Sequence, residues 1–249
     1  MRGSGASGRG DDGVRPATFV ACRSVLELDL AHATSQRAVL DPQFLHKLVM
    51  SGFYGWVPED VPDPRAQLRV LHAASVDLTA ELITVVVQAR VQPDWERVPR
   101  AALRGRPAVT TIEQRVEPGR RYSFRAVVHP TRDVGPSRRR RDLTDAKDVL
   151  AWFVDRLQPP GEGPVSTDGR GVRRLGADAR TEDLEVRVLP PVQNMRDRAG
   201  QRLTRSEIRG RLTVTDAPAF VDVLGSGFGR SRSLGCGLVL AEPLDEPLI

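Results

Sequence analysis

Seven stretches of the chain have the apolar or alternating pattern that is typical of β-strands. The stretch at residues 81–90 is the most apolar run of all, so we expect it to be a central strand. The stretch at 18–30 is rich in β-branched residues and alternates only in part. The predicted strands lie at residues 18–30, 67–76, 81–90, 121–129, 182–189, 205–214 and 234–240.

Two segments place apolar residues three and four positions apart, which predicts amphipathic helices. In the first, Asp41 followed by Pro42 is a helix start, because Asp caps free backbone N–H groups and Pro suits the first turn. Gly52 can end this helix. The second amphipathic segment is 145–157, and residues 217–224 predict a short third helix.

The order of these elements predicts an α+β protein made of two similar domains in tandem. The first has the order strand, helix, strand, strand, short or irregular helix, strand, which matches a ferredoxin-like unit. We expect this domain at residues 17–132, a basic linker at 133–143 and a second ferredoxin-like domain at 144–249. Residues 1–16 predict a disordered tail, which we exclude from the fold.

The basic residues are almost entirely arginine. The chain has 37 basic and 32 acidic residues, a net charge of +5, and only Lys47 and Lys147 are lysines. This bias has two interpretations: the codon composition of a GC-rich genome, or arginines that bind phosphate through a planar fork of donors. The net charge does not decide between them, and the positions of the arginines are more informative.

The remaining composition narrows the class of protein. Cys22 and Cys236 have no CxxC spacing and no nearby histidine cluster, so neither a disulfide framework nor a zinc site is expected. No stretch approaches the roughly 20 apolar residues of a membrane span, and the N-terminus lacks the apolar core of a secretory signal. We therefore expect a cytoplasmic protein without a membrane partner.

A glycine-rich segment at residues 225–237 precedes the last strand and contains Arg230 and Arg232. Glycines let backbone N–H groups approach a ligand and cradle an anion, and the two arginines can be aimed at phosphates. The alternative is a glycine-rich turn before an edge strand. The segment does not fit the dinucleotide fingerprint, because a helix precedes it, and it lacks the Gly-Lys-Ser/Thr of a P-loop.

His46 lies in the middle of the first predicted helix, with Lys47 beside it. Histidine is the usual group for moving a proton in RNA cleavage, but a surface or half-buried helix histidine also fits the pattern. His32, His72 and His129 are scattered singly, and we expect each to be structural. No acidic pair recurs at metal-ligand spacing with any of them, so the sequence does not support a metal-dependent nuclease.

Four consecutive arginines, Arg138, Arg139, Arg140 and Arg141, lie in the predicted linker. They can follow an RNA backbone, since contacts to phosphate supply affinity that is independent of sequence, or they can belong to a solvated linker. The same two alternatives hold for the arginines of the predicted hairpin in the second domain, which are Arg196, Arg198, Arg202 and Arg205.

Several motifs follow one another in a recognisable order. They are DPQFLHK at 41–47, a strand ending in VQ at 87–88 with PDW at 93–95, YSFR at 122–125, AW at 151–152, GRLTVTDAP at 210–218, GFGR at 227–230 and GCGL at 235–238. Together they resemble the CasE family, the CRISPR repeat-processing endoribonucleases of type I-E systems. The block at 210–244 is the most specific, whereas residues 161–201 match only in pattern.

The resemblance implies two tandem ferredoxin-like (RRM-like) domains and a role in antiviral defence. It also implies metal-independent cleavage of the CRISPR repeat transcript at the base of its stem-loop, to make mature crRNA, with no cofactor. The products would be a 2′,3′-cyclic phosphate and a 5′-hydroxyl. The enzyme would then stay on the crRNA 3′ stem-loop beside the other subunits of the Cascade complex.

The resemblance also implies roles for particular residues. His46 occupies the position of the family's catalytic histidine and is expected to transfer a proton as general base. The glycine-rich segment is expected to pack beside the histidine helix and to hold the RNA backbone, and the arginine run would suit duplex RNA. The residues expected to bind RNA are Gly227, Gly229, Arg230, Arg232, Gly235, Arg138, Arg139, Arg140 and Arg141.

The sequence departs from the family pattern at Gln43. Relatives often have a tyrosine three residues before the catalytic histidine, and Gln43 cannot donate a proton as a phenol does. Gln43 can still hydrogen-bond the ribose or the phosphate, and Lys47 or a nearby arginine is expected to stabilise charge. The departure leaves a second function open: a structural subunit that binds the crRNA hairpin with weak or no cleavage.

Overall fold

A computed structural model describes residues 15–56, 61–134, 139–166, 171–193 and 202–244. Most of the predicted tail lies outside the described residues, as do Arg138, Arg196 and Arg198. Within the described residues, no helix is both long enough and apolar enough to cross a membrane.

The described chain contains eleven strands and five α-helices. The strands are β1 (Ala17–Asp29), β2 (Leu71–Asp77), β3 (Leu82–Ala89), β4 (Ala108–Val116), β5 (Arg121–Val128), β6 (Thr131–Val134), β7 (Arg139–Asp142), β8 (Ala177–Asp178), β9 (Leu184–Gln193), β10 (Arg202–Val214) and β11 (Val239–Pro243). The helices are α1 (Ala33–Leu40), α2 (Pro42–Ser51), α3 (Pro64–Gln67), α4 (Ala146–Val154) and α5 (Ala217–Ser226).

The first sheet has the strand order β2-β3-β1-β4, and all its pairs are antiparallel. The strand predicted to be central, now β3, does lie between two neighbours. Helices α1 and α2 connect β1 to β2, and a short 3-10 turn at Arg100–Ala102 stands where a ferredoxin-like unit usually has its second helix.

The second sheet repeats the same order with later strands. Strand β5 lies between β10 and β11, and β10 pairs with β9 on its other side. Helix α4 precedes β9, and α5 connects β10 to β11. This is again the ferredoxin-like order, so the predicted α+β fold with two tandem ferredoxin-like units is confirmed.

The prediction that residues 121–129 complete the first sheet is wrong. These residues form β5, which pairs with β10 and β11 in the second sheet. The fourth strand of the first sheet is instead β4, which pairs with β1 on the side away from β3. Sequence reasoning missed β4 because most of its side chains are exposed and polar. The second sheet therefore takes a central strand from within the predicted first domain.

The predicted loop at 133–143 is also corrected by the structure. Strands β6 and β7 pair there as an antiparallel hairpin, with Arg132 opposite Arg141 and Asp133 opposite Arg140. The arginine run misled the prediction, because charge is compatible with a two-stranded ribbon whose faces are both solvated.

Two apolar cores lie on either side of β1. One face of this strand packs with α2 and β3, through residues such as Leu28, Val49 and Val85. The other face contributes Phe19 and Ala21 to the larger core of the second sheet. Burying one such aliphatic or aromatic side chain contributes about 1.5–3 kcal/mol, so β1 joins the two units into one packed body.

One buried hydrogen bond reinforces this junction. The side-chain Nε2 of Gln88, on β3, donates to the carbonyl of Leu224 near the end of α5, at 2.8 Å. Gln88 is fully buried, and losing a partner for such a group costs about 1–3 kcal/mol. The bond fixes the end of α5, and therefore the start of the glycine-rich segment, against the first sheet.

Candidate functional site

Helix α2 presents His46 beside its buried face. The side chain of Asp41 accepts a hydrogen bond from the backbone N–H of Gln43 at 2.9 Å, and Pro42 occupies the first turn, so the predicted helix start is confirmed. Leu45 is buried against the first sheet, whereas His46 and Gln43 are partly exposed. Positions three apart lie on the same side of a helix, so Gln43 and His46 face the same region.

The glycine-rich loop, residues 227–237, requires its glycines for its shape. Gly227, Gly229, Gly235 and Gly237 all have positive φ, between 77° and 87°. A Cβ on Gly237 would lie only 2.4 Å from the carbonyl oxygen of Phe228, whose own N–H donates to the Gly237 carbonyl at 2.8 Å. The two ends of the loop therefore approach more closely than side chains permit.

A short 3-10 turn in this loop, Arg232–Leu234, packs against α2 and β2. The base of the loop is held in the second sheet, because the N–H of Gly237 donates to the carbonyl of Val127 at 2.7 Å. The loop thus lies between the two units, with the histidine helix on one side and the end of β5 on the other.

His72, expected to be a single structural histidine, lies beside His46. The two rings stack with centroids 6.2 Å apart and planes 24° from parallel. His72 is fully buried under the loop, and a Cβ on Gly235 would lie 3.5 Å from its Nε2. Neither ring nitrogen has a hydrogen-bond partner within the described parts of the chain.

The protonation state of His72 follows from this environment. Burial, reinforced by His46 and by the positive charge of Arg65, lowers the pKa of His72 to about 3. The ring is therefore neutral at physiological pH, and it stacks on His46 without bringing a charge close to it.

Arg65 is a member of this site that sequence reasoning did not identify. It lies on α3, its side chain is only 13% exposed, and its Nη1 donates to the Val70 carbonyl at 3.3 Å. Its positive charge lowers the pKa of both His72 and Arg232. No motif in the sequence marks it, because α3 is a single turn of four residues.

Arg232 makes a hydrogen bond within the loop and also lies close to other charged side chains. Its Nη1 donates to the Ser226 carbonyl at 2.9 Å, which braces the loop from within. Burial lowers the pKa of Arg232, and the charges of Arg65 and Arg173 lower it further. Asp63, which pairs with Arg65 at 3.6 Å, offsets part of this effect, and the remaining positive charge around Arg232 favours an anion.

The other end of the loop contacts His129, which follows β5. Its Nδ1 lies 2.7 Å from Oγ of Ser231, and its Nε2 lies 3.1 Å from Oδ1 of Asp142. The second carboxylate oxygen of Asp142 accepts a hydrogen bond from Thr204 at 2.7 Å. The sequence indicated none of these contacts, since the four residues come from four separate segments.

Lys47 points away from His46, and the arginine run lies on a different element. Lys47 is exposed, and consecutive helix positions point about 100° apart. Arg140 and Arg141 are exposed on β7 and face opposite sides of the ribbon. Arg140 lines a cleft with Arg202 and the loop residue Arg230, so part of the arginine run does come beside the glycine-rich loop.

Comparisons with known proteins agree with this architecture. Residues 23–243 match the family model described as CRISPR associated protein. The CRISPR system Cascade subunit CasE of Escherichia coli K12 is 36% identical over 72 residues, which are 29% of this chain. The aligned region spans 36% of that relative, about a third of its length.

Two solved structures have the same fold over most of the chain. The structure of Thermus thermophilus Cse3 bound to an RNA representing a pre-cleavage complex has a TM-score of 0.67 and 19% identity, covering 90% of this chain and all of that one. The CRISPR-associated protein Cas6e from Escherichia coli K-12 has a TM-score of 0.61 and 21% identity, with 90% and 100% covered. The family match covers most of the sequence, as the motifs predicted, and the chain belongs to the CRISPR associated protein family.

Proposed function

We propose that the protein is a metal-independent endoribonuclease that cleaves CRISPR repeat RNA at the base of its stem-loop. The observation that supports this most directly is the packing of the glycine-rich loop and its arginines against the helix of His46. The names of its relatives point the same way, since one is a Cascade subunit and another was solved with RNA in a pre-cleavage complex. We place the protein in the cytoplasm, on the crRNA 3′ stem-loop beside the other Cascade subunits.

The proposed reaction is an in-line attack by a ribose 2′-OH on the adjacent phosphate. His46 removes the 2′-OH proton as general base, the P–O5′ bond breaks, and a proton goes to the leaving 5′-oxygen. The products are a 2′,3′-cyclic phosphate and a 5′-hydroxyl. The source of the second proton is left open, because Gln43 has no acidic proton to give.

The developing charge on the phosphorane needs fixed positive groups. The charge of Arg65 acts on both His72 and Arg232, so these two arginines are assigned this role, in competition with Asp63, which pairs with Arg65 at 3.6 Å. Gln43 is assigned a hydrogen bond to the ribose or phosphate. Lys47 is exposed and is assigned a weaker, solvent-screened contribution.

The RNA duplex is proposed to contact the arginines beyond the cleavage centre. Arg140, Arg202 and Arg230 line one cleft, and their guanidinium groups suit phosphates along an A-form helix, which proteins recognise mostly by shape and backbone. Gly227, Gly229 and Gly235 let the RNA backbone approach the loop. Raising the salt concentration should therefore weaken binding steeply.

A second function is favoured by one observation, the glutamine at position 43. Without a phenol one turn before His46, the protein could bind the hairpin as a structural subunit of Cascade and cleave weakly or not at all. The two functions share the RNA-binding surface and differ only in the rate of the chemical step.

The experiment uses a stem-loop repeat RNA in EDTA. The proposal predicts a single cut at the stem base with a cyclic phosphate end, and no cut when the ribose at that position is 2′-deoxy. His46→Ala should bind the hairpin with unchanged affinity and cut at least about a hundredfold more slowly. The control is His32→Asn, which keeps an acceptor at the start of α1.

The outcomes separate the two functions. Cleavage by the wild type that His46→Ala abolishes supports the nuclease. Hairpin binding by the wild type without a cut would support the structural subunit. No hairpin binding at all would overturn both.

A further inference from the structure

A chain of hydrogen bonds joins the glycine-rich loop to two strands of arginine-bearing hairpins. Ser231 in the loop contacts His129, His129 contacts Asp142 on β7, and Asp142 accepts from Thr204 on β10. Three elements that line the basic cleft are therefore joined through His129 and Asp142. The side chain of His129 is 15% exposed and that of Asp142 is 32% exposed, so the chain lies at the wall of the cleft.

The direction of each hydrogen bond follows from the carboxylate. Asp142 can only accept, so Nε2 of His129 must hold a proton and donate it. In the neutral ring Nδ1 then has a lone pair, and the Ser231 hydroxyl donates to it. In the protonated ring Nδ1 donates to Ser231 instead, which frees the hydroxyl proton to point away from the ring into the cleft.

The cleft beside this serine is basic. One part has a volume of about 540 Å³ and is lined by Arg140, Arg202 and Arg230, together with His129 and Ser231. Among the residues that the structure describes, Arg202 and Arg230 have no carboxylate partner. A second cleft of about 630 Å³ shares His129, Arg230 and Ser231. The charged side chains that it adds are Arg156, Arg173 and Arg232.

The backbone of Ser231 also distinguishes it from its neighbours. Its φ is 55°, in the left-handed region that the surrounding glycines occupy freely. A side chain in this conformation costs about 1 kcal/mol or more. The conformation directs the hydroxyl at His129, and the N–H groups of Leu234 and Cys236 both donate to the Ser231 carbonyl.

We propose that Ser231 binds a phosphate of the RNA strand and that His129 and Asp142 position its hydroxyl for this contact. A phosphodiester oxygen accepts the hydrogen bond from the Ser231 hydroxyl, and Arg230, Arg140 and Arg202 supply positive charge around the phosphate. The site differs from the cleavage centre in its histidine, since Ser231 contacts His129, whereas Gly235 lies against His72, the ring that stacks on His46. The proposal rests on the proposed RNA-binding function and adds a residue-level site to it.

The proton arrangement gives the site a signature. When the Ser231 hydroxyl donates to phosphate, His129 must donate from both ring nitrogens, so RNA binding takes up one proton. The affinity for RNA should therefore fall as pH rises, by up to about tenfold per pH unit for one linked proton.

The test measures hairpin binding and single-turnover cleavage as a function of protein concentration. Ser231→Ala should raise the protein concentration for half-maximal cleavage by about tenfold, the loss expected for a hydrogen bond to a charged oxygen. The maximal rate should change far less. Ser233→Ala, two residues along the same loop, is the matched control and should equal the wild type.

The second arm compares hairpin binding by the wild type and by His129→Gln from about pH 5.5 to 8. This range spans the pH values at which histidine side chains usually change charge. The wild type should lose affinity as pH rises, and His129→Gln should be weaker and less dependent on pH. Equal affinities for Ser231→Ala and the wild type, or equal pH dependence for His129→Gln and the wild type, would overturn the proposal. Absence of wild-type hairpin binding would instead overturn the proposed function.

Discussion

Two positions in the glycine-rich loop, Gly235 and Ser231, lie against two histidine sites of opposite character. At the Gly235 end, His72 is fully buried, has no hydrogen bond from either ring nitrogen to a described residue, and stacks on His46. At the Ser231 end, His129 is hydrogen-bonded at both nitrogens and faces a cleft lined by arginines. Two positions only four residues apart in one loop therefore face a stacked imidazole pair and a hydrogen-bonded, charged network.

This difference suggests a division of roles along the loop. A stacked neutral ring holds His46 in place without supplying a proton, which leaves the chemistry to His46. The His129 ring, which is held by Asp142, orients the Ser231 hydroxyl, and an oriented hydroxyl suits the binding of a phosphate. The loop is then the structural link between cleavage and affinity, and each end can be altered separately.

The largest effect on stability is expected at Gly237, because the shape of the whole loop depends on this residue. Gly237→Ala adds a Cβ 2.4 Å from the Phe228 carbonyl oxygen, at a φ of 87°. The clash and the left-handed backbone together should lower the free energy of unfolding by about 3 kcal/mol or more. Thermal or denaturant unfolding measures this, and RNA binding and cleavage should fall together.

The control for this prediction lies in the same loop. Gly229 has a similar φ of 77°, but a Cβ there would lie 3.7 Å from Trp152, an ordinary contact. Gly229→Ala should therefore lower the free energy of unfolding by only about 1 kcal/mol. Equal losses for the two variants would show that close packing at the base of the loop is unimportant.

The second effect concerns the cleavage end alone. Arg65→Ala should reduce the maximal cleavage rate by about a hundredfold, because it removes a fixed charge beside the proposed phosphorane site. Arg65→Lys should recover part of the rate. Lys47→Ala should change the rate by less than about threefold, since an exposed charge is screened by solvent. A larger loss for Lys47→Ala than for Arg65→Ala would reverse this assignment.

The third prediction concerns the burial of His72. The pKa of this ring is lowered from 6.5 to about 3, so between these pH values the unfolded chain binds a proton that the folded protein excludes. The free energy of unfolding should therefore fall as pH falls through this window, by at most about 1.4 kcal/mol per pH unit. Chemical denaturation at a series of pH values measures the slope.

His72→Leu provides the comparison. Leucine fills the buried position without a titrating group. The change in the free energy of unfolding with pH, between about pH 6.5 and 4, should therefore be smaller than in the wild type by the contribution of about one proton. An unaltered slope for His72→Leu would show that the ring is not held neutral by burial.

The sequence allowed much of this architecture to be predicted, for identifiable reasons. Asp41 and Pro42 mark the start of α2, and the apolar run of β3 marks a central strand. Strand β4 was missed because an edge strand with exposed polar residues has no apolar face to detect. The assignment of β5 to the first sheet was wrong because strand order alone does not specify pairing partners.

The site was harder to predict than the fold. His46 and the loop could be identified from motifs, but His72, His129 and Arg65 are brought together only by tertiary packing. His72 lies within an apolar strand, and His129 follows another, so local pattern treats both as structural. Their different environments depend on which segment of the loop covers each ring, and this requires the folded chain.

The smallest effect concerns the position one turn before His46. Gln43 and His46 share a face of α2 and are both partly exposed, so a phenol placed at 43 would reach the same region. Gln43→Tyr should raise the maximal cleavage rate by less than about tenfold, because a phenol can donate the proton that an amide cannot. Gln43→Phe adds the ring without the hydroxyl and should not accelerate cleavage. A gain from both variants would attribute the effect to packing, whereas a gain from tyrosine alone would locate the missing acid on this face of the helix.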